Sequence, residues 1–401
     1  MNDSVLCVDI GTSSLKAALI GSPSSKSTAD KEHSPSAVLF YSRRILSKAD
    51  IKHAALEWIP ALADAVKDFS SAPSAVCISG NGPTIVAPTG ETLLWNTKAP
   101  HSEALKSTHS LFIPRLALFK NIFSDAWNSS AHIFSGPEFL IHFLTGAAVT
   151  ILPESRYTQA YWTEDELKRC GFSSAEINKL PPFVPPSYCA GTITKEAATL
   201  TGIAEETPVF CGGPDFISAL IGTNTLHAGA LCDRAGSSEG LNLCTATAVS
   251  SDKTRTLPSV QSGLWTCDYL IPDSGARLAK NHSVMTELAQ ETAFGIRMLC
   301  SLAKDAGSQL PSFVTITGGQ AKNETLVQLK ADACGIPFCI TECTDAELAG
   351  DNVLARVGLG EYKTITEAAA KLVKITRTFT PSGAYPYNSV SNDIHAREPR
   401  T

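Results

Sequence analysis

The sequence predicts an α/β protein of two domains, and three observations carry that prediction. The chain has 401 residues, where one domain accounts for roughly 100–200. Short apolar runs alternate with stretches of helical spacing along most of its length. A strand running into a turn of small residues occurs loosely once in each half, at 6–14 and again at 231–240.

The elements follow in order. "LCVDIGTSSLKAAL" (6–19) reads as a hairpin whose second strand alternates Leu15, Ala17 and Leu19 with Lys16, Ala18 and Ile20. "AVLFYSRRIL" (37–46) reads as a third strand, and Ile51, Leu56, Trp58, Ile59, Leu62, Val66 and Phe69 recur as one face of a single amphipathic helix. "SAVCISGNGPTIVAPTGETLLW" (74–95) adds a buried strand, a glycine turn and a hairpin. The stretch 100–205 is more helical, with "PEFLIHFLTG" a helix ending at Gly146. A second αβ series starts at "TPVFCGGPDFISALIGT" (207–223), a strand breaking at Gly-Gly-Pro-Asp into a helix. "GALCDRAGSSEGLNLC" (229–244) is two strands about a serine-glycine turn. A long helix (283–305), the strand "FVTITGG", a helix (323–334), the strand "PFCIT" and two further helices complete it. The expected domains are 1–224 and 225–378, with a frayed polar tail over 379–401.

Composition excludes several function classes. The net charge of −6, with basic residues scattered, provides no field for nucleic acid or an anionic membrane. No apolar run approaches ~18 residues and no leader is evident, so a cytoplasmic protein is expected. The 12 cysteines lie in apolar stretches without a C-x-x-C pair, which reads as buried reduced thiols rather than a metal site.

The chemistry concentrates in turns. Gly11, Thr12, Ser13 and Ser14 offer backbone N–H groups and rotatable hydroxyls toward one point, a concavity suited to phosphate oxygens. Asp9 at its rim would repel phosphate unless a cation lay between, so Asp9 implies Mg²⁺. A polar hairpin turn, with Lys16 an exposed strand lysine, is the plainer reading of the same residues. Further glycine turns follow strands at 80–82, 235–240 and 317–323, but the chain contains no G-K-S or G-K-T. Asp215, just after Gly-Gly-Pro, is either a general base or a first-turn acid stabilised by the helix dipole. "GSSEG" also fits G-x-S-x-G, with Ser238 as a hydrolase nucleophile, a reading that needs a helix directly afterwards.

"DIGTSSLKAAL", "ISGNG", "LLWN", "CGGPDFISALIGT" and "TGGQAKNETLVQLKADACGIP", in this order, resemble the FGGY family of carbohydrate kinases, xylulokinase-like members especially, over roughly residues 4–375. The resemblance implies an actin-like ATPase fold: two RNase-H-like domains flanking a cleft for Mg·ATP and a sugar. It implies Asp215 as catalytic base and Gly11–Ser14, Gly236, Ser237, Ser238, Gly318, Gly319 and Asn323 as nucleotide-binding. Asn81, Gly82 and Trp95 fall on the sugar side, and Asp9 with the metal. A ketose or polyol is the expected acceptor, D-xylulose first among them, and a homodimer is left open.

Departures fall mainly on the sugar side. Asn96, Thr97, Lys98 and Ala99 follow Trp95 where the family places an acid and a base, and Asn81-Gly82-Pro83 replaces the Met-His or Arg-Glu of its members. Gln320 stands where a third glycine is common, and the interval after "GSSEG" is short, which implies a reduced second domain. A non-catalytic sugar or nucleotide sensor of the same fold is the rival reading.

Overall fold

The computed structural model describes residues 3–21, 38–47, 49–69, 71–98, 105 and 108–383. The chain forms two compact units. One gathers Met1–Leu226, Pro258–Gly263 and Asp345–Lys374; the other gathers His227–Leu257, Leu264–Thr344 and Ile375–Thr401.

In the first unit β1 (Ser4–Ile10) and β2 (Ser14–Gly21) form the expected hairpin, and β3 (Val38–Ile45) pairs with β2 as an edge strand. The predicted single helix splits. Ile51–Glu57 is a tight 3₁₀ segment interrupted at His53 (φ −127°), and only Trp58–Val66 is α-helix (α1). The expected apolar face holds from Trp58 onward, but Ile51 (57%) and Leu56 (46%) are exposed, and the Asp50 side chain accepts from Lys52 N–H, which favours a turn over a helical start. β4 (Ala75–Gly80), α2 (Gly136–Thr145), β5 (Cys189–Thr192) and β6 (Pro208–Pro214) follow, and α3 (Asp215–Gly222) leaves β6 directly. The sheet order is β5-β6-β4-β1-β2-β3, with β1, β4 and β6 parallel. Every residue of β1 and β4 is buried, because helices cover both sheet faces. Leu6, Val8, Ile10, Leu15 and Leu19 pack with Trp58 and Leu62 of α1 and Phe139–Leu144 of α2.

The second unit contains β7 (Leu231–Ala235), β8 (Glu239–Thr245), β9 (Arg255–Pro258, whose last residue joins the first unit), β10 (Trp265–Ile271), α4 (Met285–Asp305), β11 (Val314–Thr317), α5 (Glu324–Cys334) and β12 (Phe338–Thr341). Two helices then return to the first unit: α6 (Ala346–Gly358) and α7 (Ile365–Leu372). The strand β13 (Ile375–Phe379) closes the second sheet, ordered β9-β10-β8-β7-β11-β12-β13.

Three expectations change. The division falls at 226/227 rather than 224/225, and 345–374 belongs to the first unit rather than the second. Small residues bring α6 back: an added Cβ at Gly350 would lie 1.9 Å from the Ser218 carbonyl oxygen, and one at Gly222 1.9 Å from that of Ala346. Only glycines permit α3 and α6 to approach so closely. Strands β9, β10 and β13 were not anticipated, since polar residues interrupt their apolar pattern. The expected tail from 379 is anchored where described: Phe379 is buried, and Ser382 N–H donates to Asp332 Oδ1 at 2.7 Å. Residues 384–401 lie outside the described residues, as does Ala99. Among the described residues no helix is long and apolar enough to cross a membrane.

Candidate active site

Three parallel strands end side by side in the first unit. Ile10 of β1 pairs with Gly80 of β4, and Pro214 of β6 pairs with Gly80 from the other side. The turn after β1, Asn81 and Asp215 therefore leave the sheet along one edge, the carboxyl end of parallel strands, where open α/β sheets place their ligands.

Asp215 begins α3, and its Oδ1 accepts from Phe216 N–H at 2.6 Å. Asp9 is buried, with Oδ2 3.5 Å from Lys16 Nζ. Among the described residues its Oδ1 has no hydrogen-bond partner. Burial pushes the Asp9 carboxyl up to about 7; Lys16 opposes that, and Glu347 and Asp215 add to it. Lys16 is no exposed strand lysine. Its Nζ also lies 3.0 Å from Asp345 Oδ1 and 3.5 Å from Glu347 Oε2. Burial alone would lower its pKa, but Asp9, Glu347 and Asp345 reverse the sign and hold the ammonium above the usual lysine range.

The turn itself differs in detail from the expectation. Gly11 N–H donates to Ser14 O at 2.9 Å and closes the turn, and Ser14 Oγ accepts from Arg43 Nε at 3.1 Å. Those two groups are thus engaged within the protein. Thr12 Oγ1 accepts from Trp95 Nε1 at 2.8 Å and from Asn81 Nδ2 at 3.1 Å, which joins three of the sequence-predicted residues directly. Gly82 follows Asn81 in the same loop.

In the second unit the Gly236–Ser238 turn joins β7 to β8. Gly236 N–H donates to Ser238 O at 3.0 Å, and Ser238 Oγ accepts from Asp273 N–H at 3.1 Å. Gly318 (φ 88°) lies against it: a Cβ there would be 2.7 Å from Ala235 O. Gln320, the residue in place of a third glycine, donates to Gly236 O at 3.1 Å and to Ser274 Oγ at 2.8 Å, so it braces the turn. Gly319 precedes it. Asn323 is occupied otherwise: its Oδ1 accepts from Leu326 N–H at 3.1 Å as the cap of α5. The hydrolase reading of Ser238 fails, because the residues that follow form strand β8 rather than a helix.

Sequence reasoning missed Asp345, Glu347 and Asp351, which lie at one end of α6 and within it. Asp351 is buried and accepts from Ser79 Oγ at 2.8 Å and Ser218 Oγ at 3.1 Å; burial raises its carboxyl well above the ordinary range. Three acids within "DAELAGD", on a stretch that is otherwise apolar and small, were the available signal. Also missed was the triad beneath the second turn, Lys330 with Asp233 (2.7 Å) and Glu239 (2.9 Å), all three fully buried.

Residues 282–359 match the FGGY family of carbohydrate kinases, C-terminal domain. The chain is 34% identical over 95 residues to a ribulokinase of Mycolicibacterium smegmatis, a match spanning 23% of this chain and 17% of that protein. It is 22% identical over 286 residues to a xylulose kinase of Bacillus subtilis, spanning 56% of each. The chain thus covers between about a sixth and just over half of these relatives' lengths. Among solved structures it resembles a ligand-bound xylulose kinase from Lactobacillus acidophilus (TM-score 0.71, 14% identity, 94% of each chain). It also resembles Plasmodium falciparum glycerol kinase with ADP (TM-score 0.72, 14% identity, 95% of this chain and 94% of that one). At these identities the likeness is one of fold, the two-domain actin-like α/β fold.

Proposed function

We propose that the chain, whose residues 282–359 match the C-terminal domain of the FGGY family of carbohydrate kinases, is a kinase of that family and transfers the terminal phosphoryl group of ATP to a hydroxyl of a sugar or polyol, with Asp215 as general base. One observation carries this reading: the turn after β1, Asn81 and Asp215 emerge from three adjacent strand ends of one sheet. Phosphoryl transfer asks for positioning and charge neutralisation more than for covalent help. The acceptor hydroxyl has a pKa far above neutrality, so the Asp215 carboxylate takes its proton as the oxygen bonds to phosphorus and the bond to the ADP oxygen breaks. Help of this kind is worth ~10²–10⁴ in rate.

The residues present fit a magnesium ion. Asp9 Oδ1 is buried without a partner among the described residues, and Mg²⁺ in phosphate sites binds through one or two carboxylates, with waters and the phosphates completing its shell. When bound there it supplies charge neutralisation on the phosphoryl oxygens. In this reading Thr12 and Ser13 face the phosphoryl group, Asn81, Gly82 and Trp95 the acceptor, and Gly236, Ser237, Ser238, Gly318 and Gly319 the nucleotide. Asn323, serving as a helix cap, leaves that set.

The test is acceptor-stimulated ADP release across D-xylulose, D-ribulose, glycerol and gluconate, with D-xylulose expected to give the strongest signal. Asp215→Asn keeps size and most hydrogen bonding, so kcat should fall by ~10²–10⁴ with ATP affinity nearly unchanged. A panel with no stimulated ADP release from a protein that still binds ATP would replace this reading with that of a binding-only relative.

A further inference from the structure

Four residues of the first unit form a closed ring of hydrogen bonds. Trp95 N–H donates to Thr84 Oγ1 at 3.2 Å, and Thr84 Oγ1 donates to Asn81 Oδ1 at 3.1 Å. Asn81 Nδ2 donates to Thr12 Oγ1 at 3.1 Å, and the indole Nε1 of Trp95 donates to the same oxygen at 2.8 Å. Trp95 thus begins both arms, and Arg115 holds it by donating to its carbonyl from Nε at 2.9 Å and from Nη2.

The polarity of this ring follows from counting donors. Thr84 is fully buried, and among the described residues its hydroxyl proton has one acceptor, Asn81 Oδ1. Turning the Asn81 carboxamide over would leave that buried proton unpaired, which is costly. The carboxamide therefore presents its NH₂ to Thr12. A hydroxyl oxygen has two lone pairs, and at Thr12 both are taken. The third direction carries the proton, and among the described residues nothing accepts it.

We infer that Trp95 and Asn81 are positioning residues that lock the Thr12 hydroxyl as an obligate donor toward an oxygen of the transferred phosphoryl group. This rests on the kinase reading above. An acceptor-only phosphoryl oxygen suits a hydroxyl that can give a proton but accept none, whereas the reacting hydroxyl must hand its own proton to an acceptor, which Thr12 cannot be.

Two measurements test it. In ¹H–¹⁵N spectra of the whole protein, the Trp95 indole signal is identified by its loss in Trp95→Phe. Thr12→Val should shift that signal upfield and speed its exchange, and Thr12→Ser should restore it; an unmoved signal overturns the ring. Binding of Mg²⁺ with AMP-PNP and with ADP is then titrated by calorimetry. Loss of a hydrogen bond to a charged group predicts that Thr12→Val weakens AMP-PNP about 10- to 100-fold. ADP affinity should change far less, and Thr12→Ser should recover most of the loss. Trp95→Phe, which frees one lone pair, should weaken AMP-PNP about three- to tenfold. If the wild-type protein binds neither nucleotide, the kinase reading falls and this inference with it. If it binds AMP-PNP and Thr12→Val binds equally well, the inference alone falls. Should Thr12→Val fail to fold, an unchanged AMP-PNP affinity in Trp95→Phe overturns it.

Discussion

Each unit buries one lysine among carboxylates, and the two sites differ in how completely water is shut out. Lys330 lies in the core of the second unit with Asp233 and Glu239, every side chain at 0% exposure. Thr292 Oγ1 donates to Glu239 Oε1 at 2.6 Å, while Asp233 Oδ1, like Asp9 Oδ1 in the first unit, has no hydrogen-bond partner among the described residues. Lys16 in the first unit retains 20% side-chain exposure and faces three acids, one of which, Asp9, leaves an oxygen unpaired. A closed triad whose charge is held wholly within the protein braces a hairpin. An open cluster that solvent reaches, at the end of parallel strands, is accessible to a ligand as the triad is not. Similar residue types are thus sealed in the core of one unit and open to solvent in the other.

The largest expected effect breaks the closed triad. Lys330→Met leaves two carboxylates buried without their cation and should cost ~3–5 kcal/mol of stability in urea unfolding. A loss below ~1 kcal/mol would mean that water already reaches the triad. Lys16→Met should cost less, ~1–2 kcal/mol, because solvent can enter where the ammonium was. Its signature should instead be kinetic, with kcat down about 10- to 100-fold as charge balance at Asp9 is lost. Equal stability losses with unchanged turnover would erase the distinction between the two lysines.

The last effect is read as a slope with pH, unit by unit. Burial raises the Asp233 carboxyl to about 7, Glu239 adds to this and Lys330 opposes it. Cys334 and Arg297 also lie within electrostatic reach of the triad region. The folded protein therefore keeps a proton that the unfolded chain releases near pH 4. This contribution is fully present at low pH, declines as pH rises from about 4 to about 7, and is flat above. The decline is at most ~1.4 kcal/mol per pH unit. Asp233→Asn should flatten the profile of Tm against pH over that window; an unaltered slope would assign the proton elsewhere.

What was legible in the sequence was local. The β1–β2 turn, the break from β6 into α3 at Gly-Gly-Pro-Asp, the Gly236–Ser238 hairpin and the end of α2 before Gly146 all announce themselves in adjacent residues. Helical spacing at 51–69 signalled a buried face that is real only from Trp58 on; in the 3₁₀ segment before it Ile51 and Leu56 turn outward. Partners distant in the chain were not legible. Lys16 looked like a surface lysine because Asp345 and Glu347 stand more than three hundred residues away. Lys330 drew no notice in the sequence, because its partners Asp233 and Glu239 reach it only through β7 and β8. Asn323 shows the converse: one residue type suits both a nucleotide contact and a helix cap, and the local geometry gave it to the cap.

The return of α6 to the first unit bears on how the protein is made. Arg356 of α6 is fully buried and donates to the carbonyls of Asp3 at 3.1 Å and Ile20 at 3.4 Å, the latter 336 residues earlier in the chain. α6 covers one face of the sheet at β1 and β4. At ~5–20 residues per second of synthesis, the growing polypeptide holds that apolar face uncovered for tens of seconds before its lid is translated. Its earliest strands are therefore among its last to be sealed.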